Sequence, residues 1–336
     1  MTTVAVDRER AVGALTRWLE SLGLPARVAG VVVEHVVAAE SVGRRTHGLR
    51  LLPHLARGLA RSAELPDDVA VAEQEAGTLV VDGAGLPGIF VVQRAIDELI
   101  RGHAGGRRSM SVGIVGFAGT TGCLGLYAHR LAEAGLTGLV LATSPPIMAT
   151  PGGIAPILGT NAISFGAPAG DGAPLVGDFA SSERTYGDIA LARDRGESVP
   201  LGVMLDHAGT PTEDPSAIVD GTLLPSGGQR GWCQALMVEV LAGALTGGKV
   251  GNGPGGESVL VLSFAQDAFA AADAPQATAA LVEEIRSAEP GPGAASPHVP
   301  GDRFEALRRP AAVVDVGAEI LDRIEAMGGP VLADRR

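Results

Sequence analysis

The segment from Thr143 to Ser182 constrains the fold of this chain more than any other stretch. It combines turns rich in glycine and proline with two short apolar runs, at residues 162–168 and 174–179. Turns of this composition allow backbone amides to approach a bound ligand closely. We therefore predict that the segment forms the wall of a ligand pocket rather than the interior of a core.

The length and composition indicate a globular protein of about two domains. The chain has 336 residues, and a domain holds roughly 150. Hydrophobic residues make up 46% and charged residues 19% of the sequence, which indicates a well-buried interior. Because aromatic residues account for only 3%, we expect a core built from Ala, Val, Leu and Ile.

Charge and cysteine content exclude several classes of function. The net charge is −12, whereas a nucleic-acid-binding protein needs clustered cations to displace counterions. Cys123 and Cys233 are too few for a disulfide framework or a cysteine metal site, so we expect no metal. The opening residues MTTVAVDRER lack the apolar core of a signal peptide, and no apolar run approaches the ~20 residues of a membrane span. We expect a soluble, cytoplasmic protein with no membrane partner.

Hydrophobic periodicity predicts two helices at the start of the chain. Residues 7–22 have apolar residues near 3.6-residue spacing, and Asp7 is available as the N-cap. Pro25 opens a second helix that extends to about Ser41. We interpret His35, on the apolar face of this helix, as a half-buried structural residue rather than a ligand.

From about residue 64, strand and helix patterns follow one another and indicate an α/β fold. Strands are predicted at 78–81, 111–117, 136–142 and 259–264. Helices are predicted at 89–100, 124–134, 232–245, 275–287 and 314–327, with a flexible link at 289–297.

Two glycine-rich patterns fail to match known nucleotide-binding motifs. Gly119, Gly122 and Gly125 have the spacing G-x-x-G-x-x-G, whereas a Rossmann domain uses G-x-G-x-x-G with an acidic residue ~20 positions later. The run GALTGGKV at 243–250 has valine where the phosphate loop needs Ser or Thr, and a helix precedes it. We therefore predict neither a Rossmann domain nor an NTPase.

A series of motifs along almost the whole chain resembles the malate/L-lactate dehydrogenase family. That family also includes sulfolactate, ureidoglycolate and diketogulonate dehydrogenases and the cyclic imino-acid reductases. The motifs are THG at 46–48, LGTNAISFGAP at 158–168, DFASS at 178–182, VPLGVMLDHAGTPTEDP at 199–215, LLPSGGQRGWCQALMVEVLAGALTG at 223–247 and VPGD at 299–302.

The resemblance implies a fold, a cofactor and an oligomeric state. Members of the family bind NAD or NADP on an α/β domain with a mixed sheet that is not a Rossmann fold. The matching division here is a cofactor-binding domain at 73–302 and a helical domain at 1–72 and 303–336, which is discontinuous in sequence. The family forms homodimers whose active site takes residues from both subunits, so we expect a homodimer acting on a small molecule.

The resemblance also implies a catalytic histidine. In the family, the histidine of a Ser/Thr-His-Gly motif donates a proton to the substrate carbonyl, and His47 is the matching residue. An imidazole with an ordinary pKa of ~6.5 can be tuned to deliver a proton at physiological pH. The alternative is a structural histidine whose ring bonds a backbone carbonyl.

Two positions depart from the family pattern. The arginine that pairs with the substrate carboxylate four residues after the histidine is Leu51 here, and Arg50 lies one position earlier. On a helix, a shift of one residue rotates a side chain by ~100°. The second histidine of the family matches Thr120, which cannot carry a proton at neutral pH. We predict His47, Thr120 and Arg50 as the catalytic set.

Three further segments match positions that lie along the cofactor in the family. Arg230 stands where the family has lysine, and its guanidinium is a competent partner for a cofactor phosphate. Asp178 has the alternative of capping a helix that starts near Ser182. The predicted cofactor-binding residues are Val176, Gly177, Asp178, Phe179, Ala180, Gln229, Arg230, Pro300, Gly301 and Asp302.

These observations favour an NAD(P)-dependent oxidoreductase that transfers a hydride to or from a small C=O or C=N compound. Because the second histidine is missing, an imine fits better than a simple 2-oxo acid, since a protonated imine is already activated toward hydride. Two alternatives stay open. One is a non-redox enzyme on the same scaffold, and the other is a cofactor-binding protein without catalysis.

Overall fold

The computed structural model describes residues 3–59, 64–269, 273–292 and 296–332, and it has a mixed α/β fold, as the sequence predicts. The α-helices are α1 (Arg8–Ser21), α2 (Ala26–Ser41), α3 (Leu52–Leu59), α4 (Gly88–Ala104), α5 (Leu124–Glu133), α6 (Tyr186–Arg195), α7 (Gln229–Val238), α8 (Ala274–Ser287) and α9 (Ala318–Ala326). The strands are β1 (Thr3–Asp7), β2 (Val71–Glu75), β3 (Thr78–Asp82), β4 (Ser109–Val115), β5 (Leu136–Ala142), β6 (Met148–Ala149), β7 (Pro156–Leu158), β8 (Ala162–Ala167), β9 (Leu175–Phe179), β10 (Met204–Leu205), β11 (Thr222–Leu223), β12 (Val259–Ala265) and β13 (Val313–Gly317).

The largest sheet has seven strands in the order β2-β3-β4-β12-β5-β8-β9. Strands β3 and β4 run parallel, whereas the other neighbouring pairs are antiparallel. Helices α4 and α5 pack on this sheet and place Phe90 and Tyr127 in the main core. A mixed sheet of this kind differs from the mostly parallel sheet of a Rossmann domain.

The two ends of the chain meet in a second, two-stranded sheet. Strand β1 pairs antiparallel with β13, with Val6 opposite Val314. The sequence predicted one helix over 314–327, and this was wrong for its first residues, because β13 precedes α9. Val314 and Val316 are buried while the residues between and before them are exposed, which is the two-residue period of a strand. Helix α1 begins as predicted, since the Asp7 carboxylate accepts a hydrogen bond of 2.8 Å from the Arg10 N–H.

The long helix predicted at 232–245 has two parts in the structure. Helix α7 ends at Val238, and the chain continues as a π-helix over Glu239–Ala244. The buried Glu239 carboxylate accepts hydrogen bonds of 2.6 Å from the Asn161 amide and from the Gly251 N–H. These bonds join the helix to the start of β8 and to the glycine-rich loop before β12.

Residues 293–295 of the predicted flexible link lie outside the described residues. Within the described ranges, no helix is long and apolar enough to cross a membrane, and no cluster of three or more His, Cys, Asp or Glu is suited to a metal ion. The division into domains at 1–72 with 303–336 and at 73–302 stays a prediction.

Candidate active site

A cavity of about 850 Å³ lies between the N-terminal turns, helices α6 and α9, and the ends of strands β5 and β9. Its lining includes both ends of the segment that the sequence predicted as a pocket wall, since Thr143, Ser144, Thr160 and the end of β9 all face it. We call it the central cavity. Its volume lies in the upper part of the range of ~300–1,000 Å³ that is typical of small-molecule and cofactor sites.

His47 lines the central cavity at the end of a short 3-10 turn, Arg45–His47. Its Nδ1 is 3.0 Å from the hydroxyl of Thr46, so the ring bonds a side chain here rather than a backbone carbonyl. Burial lowers the pKa of His47 below 6.5, and Arg44 acts in the same direction, while Asp178 opposes the shift. The imidazole is therefore neutral at pH 7 and able to accept a proton from a ligand.

Glu40 supports the turn that carries His47. Its carboxylate on α2 accepts a hydrogen bond of 3.1 Å from the Leu49 N–H. A Cβ atom on Gly48 would collide with this carboxylate, which explains why glycine follows the histidine. Burial raises the pKa of Glu40 to about 7.

Thr120 lies across the cavity in the loop between β4 and α5. Its hydroxyl oxygen accepts a hydrogen bond of 3.0 Å from the Gly122 N–H, which leaves the hydroxyl proton available for a ligand. His35 also binds this loop, because its Nε2 accepts a hydrogen bond of 2.9 Å from the Cys123 N–H. Gly122 has φ of 74° and packs directly on the His35 ring, so a side chain there would both strain the backbone and displace the ring. His35 is buried and has a structural role, as the sequence suggested.

Arg50 and Leu51 both line the cavity, on a second 3-10 turn. One nitrogen of Arg50, Nη2, donates to the Asp194 carboxylate of α6 at 2.5 Å. The other, Nη1, is buried and has no hydrogen-bond partner among the residues that the structure describes. Arg50 is thus fixed by one end and offers a desolvated donor at the other.

The end of strand β9 contributes Asp178, Phe179 and Ala180 to the lining. Arg44 binds this strand end, since its Nη2 donates to the backbone oxygen of Asp178 at 2.8 Å and lies 3.5 Å from the carboxylate. The alternative that Asp178 caps a helix near Ser182 was wrong. The next helix, α6, begins at Tyr186 and is capped by Thr185, whose hydroxyl accepts the Asp188 N–H.

The remaining predicted cofactor-binding residues lie outside the lining of the cavity. Val176 and Gly177 are buried beneath it, with Gly177 against the ring of Phe165. Gly301 packs on the backbone of Val176, between Pro300 and Asp302, and the Asp302 carboxylate binds Arg286 and the Val299 N–H. Gln229 and Arg230 are exposed at the start of α7. The turn before α7 is joined to the segment after β9 by the hydrogen bond from the Ser226 N–H to the Ser181 oxygen. The contact of the predicted residues with a cofactor stays a prediction.

Several cationic residues of the cavity lining were not predicted from the sequence. Arg44 stands two residues before the THG motif at 46–48, so its place could have been inferred from that proximity. Arg193 and Arg323 come from α6 and α9, far apart in sequence, and no local pattern marks them. Only the tertiary fold brings them to the same cavity as Arg50.

The lining of the cavity contains groups of the kind that hold an anionic dinucleotide. Gly119, Gly122, Ser144, Thr160 and Arg44 all line it. The Arg44 Nε is buried without a hydrogen-bond partner among the described residues, so a donor is left for a ligand. Glycine-rich turns and hydroxyls of this kind suit phosphate and ribose groups, because they supply donors without bulk.

Comparison with known proteins gives consistent matches over the chain. A sequence model described as malate/L-lactate dehydrogenase matches residues 6–324. The (2R)-3-sulfolactate dehydrogenase (NADP(+)) of Chromohalobacter salexigens is 36% identical over 241 residues, which cover 69% of each chain. The Delta(1)-pyrroline-2-carboxylate/Delta(1)-piperideine-2-carboxylate reductase of Pseudomonas syringae pv. tomato is 29% identical over 346 residues, covering 97% of each. The crystal structure of a dehydrogenase from Sinorhizobium meliloti matches with a TM-score of 0.87 at 27% identity, covering 97% of this chain and 98% of that one.

Proposed function

Because the chain belongs to the malate/L-lactate dehydrogenase family, we propose that it is an NAD(P)-dependent oxidoreductase acting on a small C=O or C=N compound. The observation that carries the proposal is the position of His47, a neutral imidazole in the same cavity as the end of β9. The relatives compared above are all dehydrogenases or reductases, and one is NADP-linked by name. They do not favour the non-redox alternative.

The residues of this chain supply binding and proton transfer. The bound nicotinamide supplies the hydride chemistry. Arg44, Asp178 and Ala180 would hold the cofactor at the cavity wall, with Ser144 and Thr160 as hydrogen-bonding groups. His47 accepts the proton from the substrate hydroxyl or amine in the oxidation direction and returns it in the reduction direction. Leu51 and Phe117 present apolar surface to the cavity and exclude water from the reacting atoms.

Thr120 takes part only as a hydrogen-bond donor. Its hydroxyl can orient a substrate oxygen or nitrogen but cannot deliver a proton at neutral pH. A protonated imine needs less acid assistance than a ketone, so cyclic imino acids are the preferred substrates of this proposal. Simple 2-oxo acids are the second group to test.

The test is consumption of NADH or NADPH, followed by absorbance, against a panel of cyclic imino acids and 2-oxo acids. Turnover of any member with one reduced cofactor supports the proposal. Calorimetric titration with each cofactor runs alongside it. Binding of cofactor without turnover of any substrate would favour a cofactor-binding protein without catalysis, and absence of both would reject the proposal.

We also propose that the protein is a homodimer. Helix α7, its π-helical continuation and the residue that follows it carry four exposed large apolar side chains, Leu236, Met237, Val240 and Leu245. Large exposed apolar patches are typical of protein–protein interfaces. Light scattering should give twice the mass of one chain, and Val240→Asp should halve it; a monomeric wild-type protein would contradict this. The cytoplasmic location expected from the sequence stays a prediction.

A further inference from the structure

Three arginines from separate parts of the chain converge on one carboxylate at the wall of the central cavity. Arg50 lies 2.5 Å and Arg323 2.9 Å from Oδ2 of Asp194, and Arg193 lies 3.8 Å from its Oδ1. Arg50, Arg193 and Arg323 all line the cavity, whereas Asp194 does not. We call these four residues the arginine cluster.

The arginine cluster has more positive charge than its own carboxylate can balance. The three guanidinium groups carry three positive charges, while Asp194 supplies a single negative charge. The pKa of Asp194 is lowered by its hydrogen bonds from Arg50 and Arg323, which together outweigh burial, so it is ionised at pH 7. The three arginines line the cavity, where Arg50 is 15% exposed and Arg193 and Arg323 are 37% and 48% exposed. The burial of Arg50 strengthens its attraction for an anion.

One nitrogen of Arg50, Nη1, has no hydrogen-bond partner among the residues that the structure describes. The side chains of Arg50 and Asp194 are 15% and 13% exposed, so this pair is largely withdrawn from water. Buried guanidinium nitrogens are nearly always hydrogen-bonded, because leaving one unpaired is costly. The unpaired Nη1 of Arg50 is therefore an unexplained donor at the edge of a cavity.

We propose that the arginine cluster is the subsite for the acidic group of the substrate, a carboxylate or sulfonate. This inference rests on the proposed function, since it names the class of compound that would react beside His47. Arg50, Arg193 and Arg323 bind the anion, and Asp194 is a positioning residue that holds the guanidiniums in place. The arginine cluster thus takes the place of the family arginine that Leu51 replaces, and it combines Arg50, from the turn after the histidine, with residues of α6 and α9.

An anion in this cavity could belong to either the substrate or the cofactor phosphates. The substrate is favoured because Arg50 is on the turn that directly follows the one carrying His47, where the reacting carbon must lie. Arg44, in contrast, is bound to Asp178 at the end of β9, on the wall proposed for the cofactor. The two groups of cations therefore serve different parts of the cavity.

The first experiment measures anion binding without catalysis. Malonate is titrated calorimetrically into the full-length protein in the absence of cofactor, with the neutral diamide malonamide as the comparison ligand. Wild-type protein should bind malonate and not malonamide. Arg193→Gln and Arg323→Gln should each weaken malonate binding about tenfold or more, since each removes a charge-assisted hydrogen bond.

Arg195→Gln is the matched control, because Arg195 is also on α6 but pairs with Glu197 and does not line the cavity. It should leave malonate binding unchanged. If Arg323→Gln fails to fold for lack of its bond to Asp194, Arg193→Gln decides the question, since Arg193 lies beyond hydrogen-bonding distance of Asp194. Equal loss in Arg195→Gln, or no loss in Arg193→Gln, would overturn the proposal.

A second measurement separates the substrate from the cofactor. The dissociation constants of NADH and NADPH should be unchanged in Arg193→Gln and Arg323→Gln, whereas KM for an acidic substrate rises. Weaker cofactor binding in these variants would assign the cluster to the cofactor phosphates and overturn the inference. If the cluster binds malonate but no substrate oxidises NADH or NADPH, the proposed function fails while the anion subsite stands.

Discussion

The backbone N–H of Cys123 donates a hydrogen bond of 2.9 Å to Nε2 of His35. This bond ties helix α2 to the loop that carries Thr120 and lines the central cavity. It also fixes the tautomer, because Nε2 must carry the lone pair and the proton must be on Nδ1. A histidine that resembles a candidate ligand in the sequence therefore acts as an acceptor that shapes the site.

His35 should make the protein acid-sensitive. Burial, with a smaller contribution from His47, lowers the pKa of His35 from 6.5 to about 3. The unfolded chain therefore binds a proton that the folded chain excludes, and stability is lost as pH falls from 6.5 towards 3, by up to about 5 kcal/mol. Urea unfolding at a series of pH values should show this loss in the wild-type protein and a shallower slope in His35→Gln.

His54→Gln is the control for this comparison, because His54 is exposed on α3. His47 and His129 also have a lowered pKa and act in the same direction. The difference between His35→Gln and wild type therefore reports His35 together with its interaction with His47. If the free energy of unfolding depended on pH equally in the wild-type protein and in His35→Gln, the account of His35 would be contradicted.

Glu40 should have the opposite effect on pH dependence. Burial raises its pKa from 4.5 to about 7, so the folded protein holds a proton that the unfolded chain releases. The contribution of Glu40 to the free energy of unfolding is fully present below pH 4.5 and falls by about 3 kcal/mol as pH rises to 7. Glu40→Gln should remove this fall and raise the free energy of unfolding at pH 7.5. Glu34→Gln, on the exposed part of the same helix, should change stability by less than about 1 kcal/mol.

Gly177 should not tolerate a side chain. A Cβ atom there would enter the ring of Phe165 on the neighbouring strand β8, and this would push β9 away from the sheet. We expect Gly177→Ala to cost about 1–3 kcal/mol in urea unfolding, as overpacking in a core does, and to weaken cofactor binding. Gly30→Ala, on α2 with open space around it, should instead be neutral or stabilising by up to about 1 kcal/mol. Equal effects of the two changes would show that the Phe165 contact is unimportant.

The pH dependence of turnover should follow His47. Its pKa lies below 6.5, so the neutral ring predominates at pH 7 and accepts a proton in the oxidation direction. The kcat/KM for oxidation should therefore fall as pH drops through the lowered pKa of His47, on the acid side of 6.5, while that for reduction should rise as the ring becomes protonated. Rate profiles for both directions with one substrate pair test this. Parallel profiles in the two directions would rule out His47 as the proton carrier.

The sequence was sufficient for the fold class, for seven of the nine α-helices among the described residues and for the strands β3, β4, β5 and β12. Strand β5 coincides with the prediction, and the termini of α1 and α5 differ by one residue, because their apolar periodicity is unbroken. Strand β13 was missed because its partner β1 is more than 300 residues away, and five residues alone do not distinguish a strand from the start of α9. Short strands acquire their identity from pairing, which a local pattern does not contain.

The residues of the candidate site also fall into two groups, those that the sequence predicts and those that only the tertiary structure reveals. His47 and the end of β9 could be named from motifs of the family, and Arg50 and Thr120 from the two positions that depart from its pattern. Arg193 and Arg323 could not, because what places them in the cavity is the packing of α6 and α9 around Asp194. The direction of Arg50 also depended on that packing, since only its partner shows which way the guanidinium points.

The central claim is that His47 carries the proton for a hydride transfer in the central cavity. The measurement that tests it most directly is kcat with NADH or NADPH for His47→Ala beside His54→Ala, a second histidine of the same cavity. We predict that kcat falls by about 10²–10⁴ in His47→Ala, with cofactor binding unchanged, and by less than about threefold in His54→Ala. Full activity in His47→Ala would contradict the account.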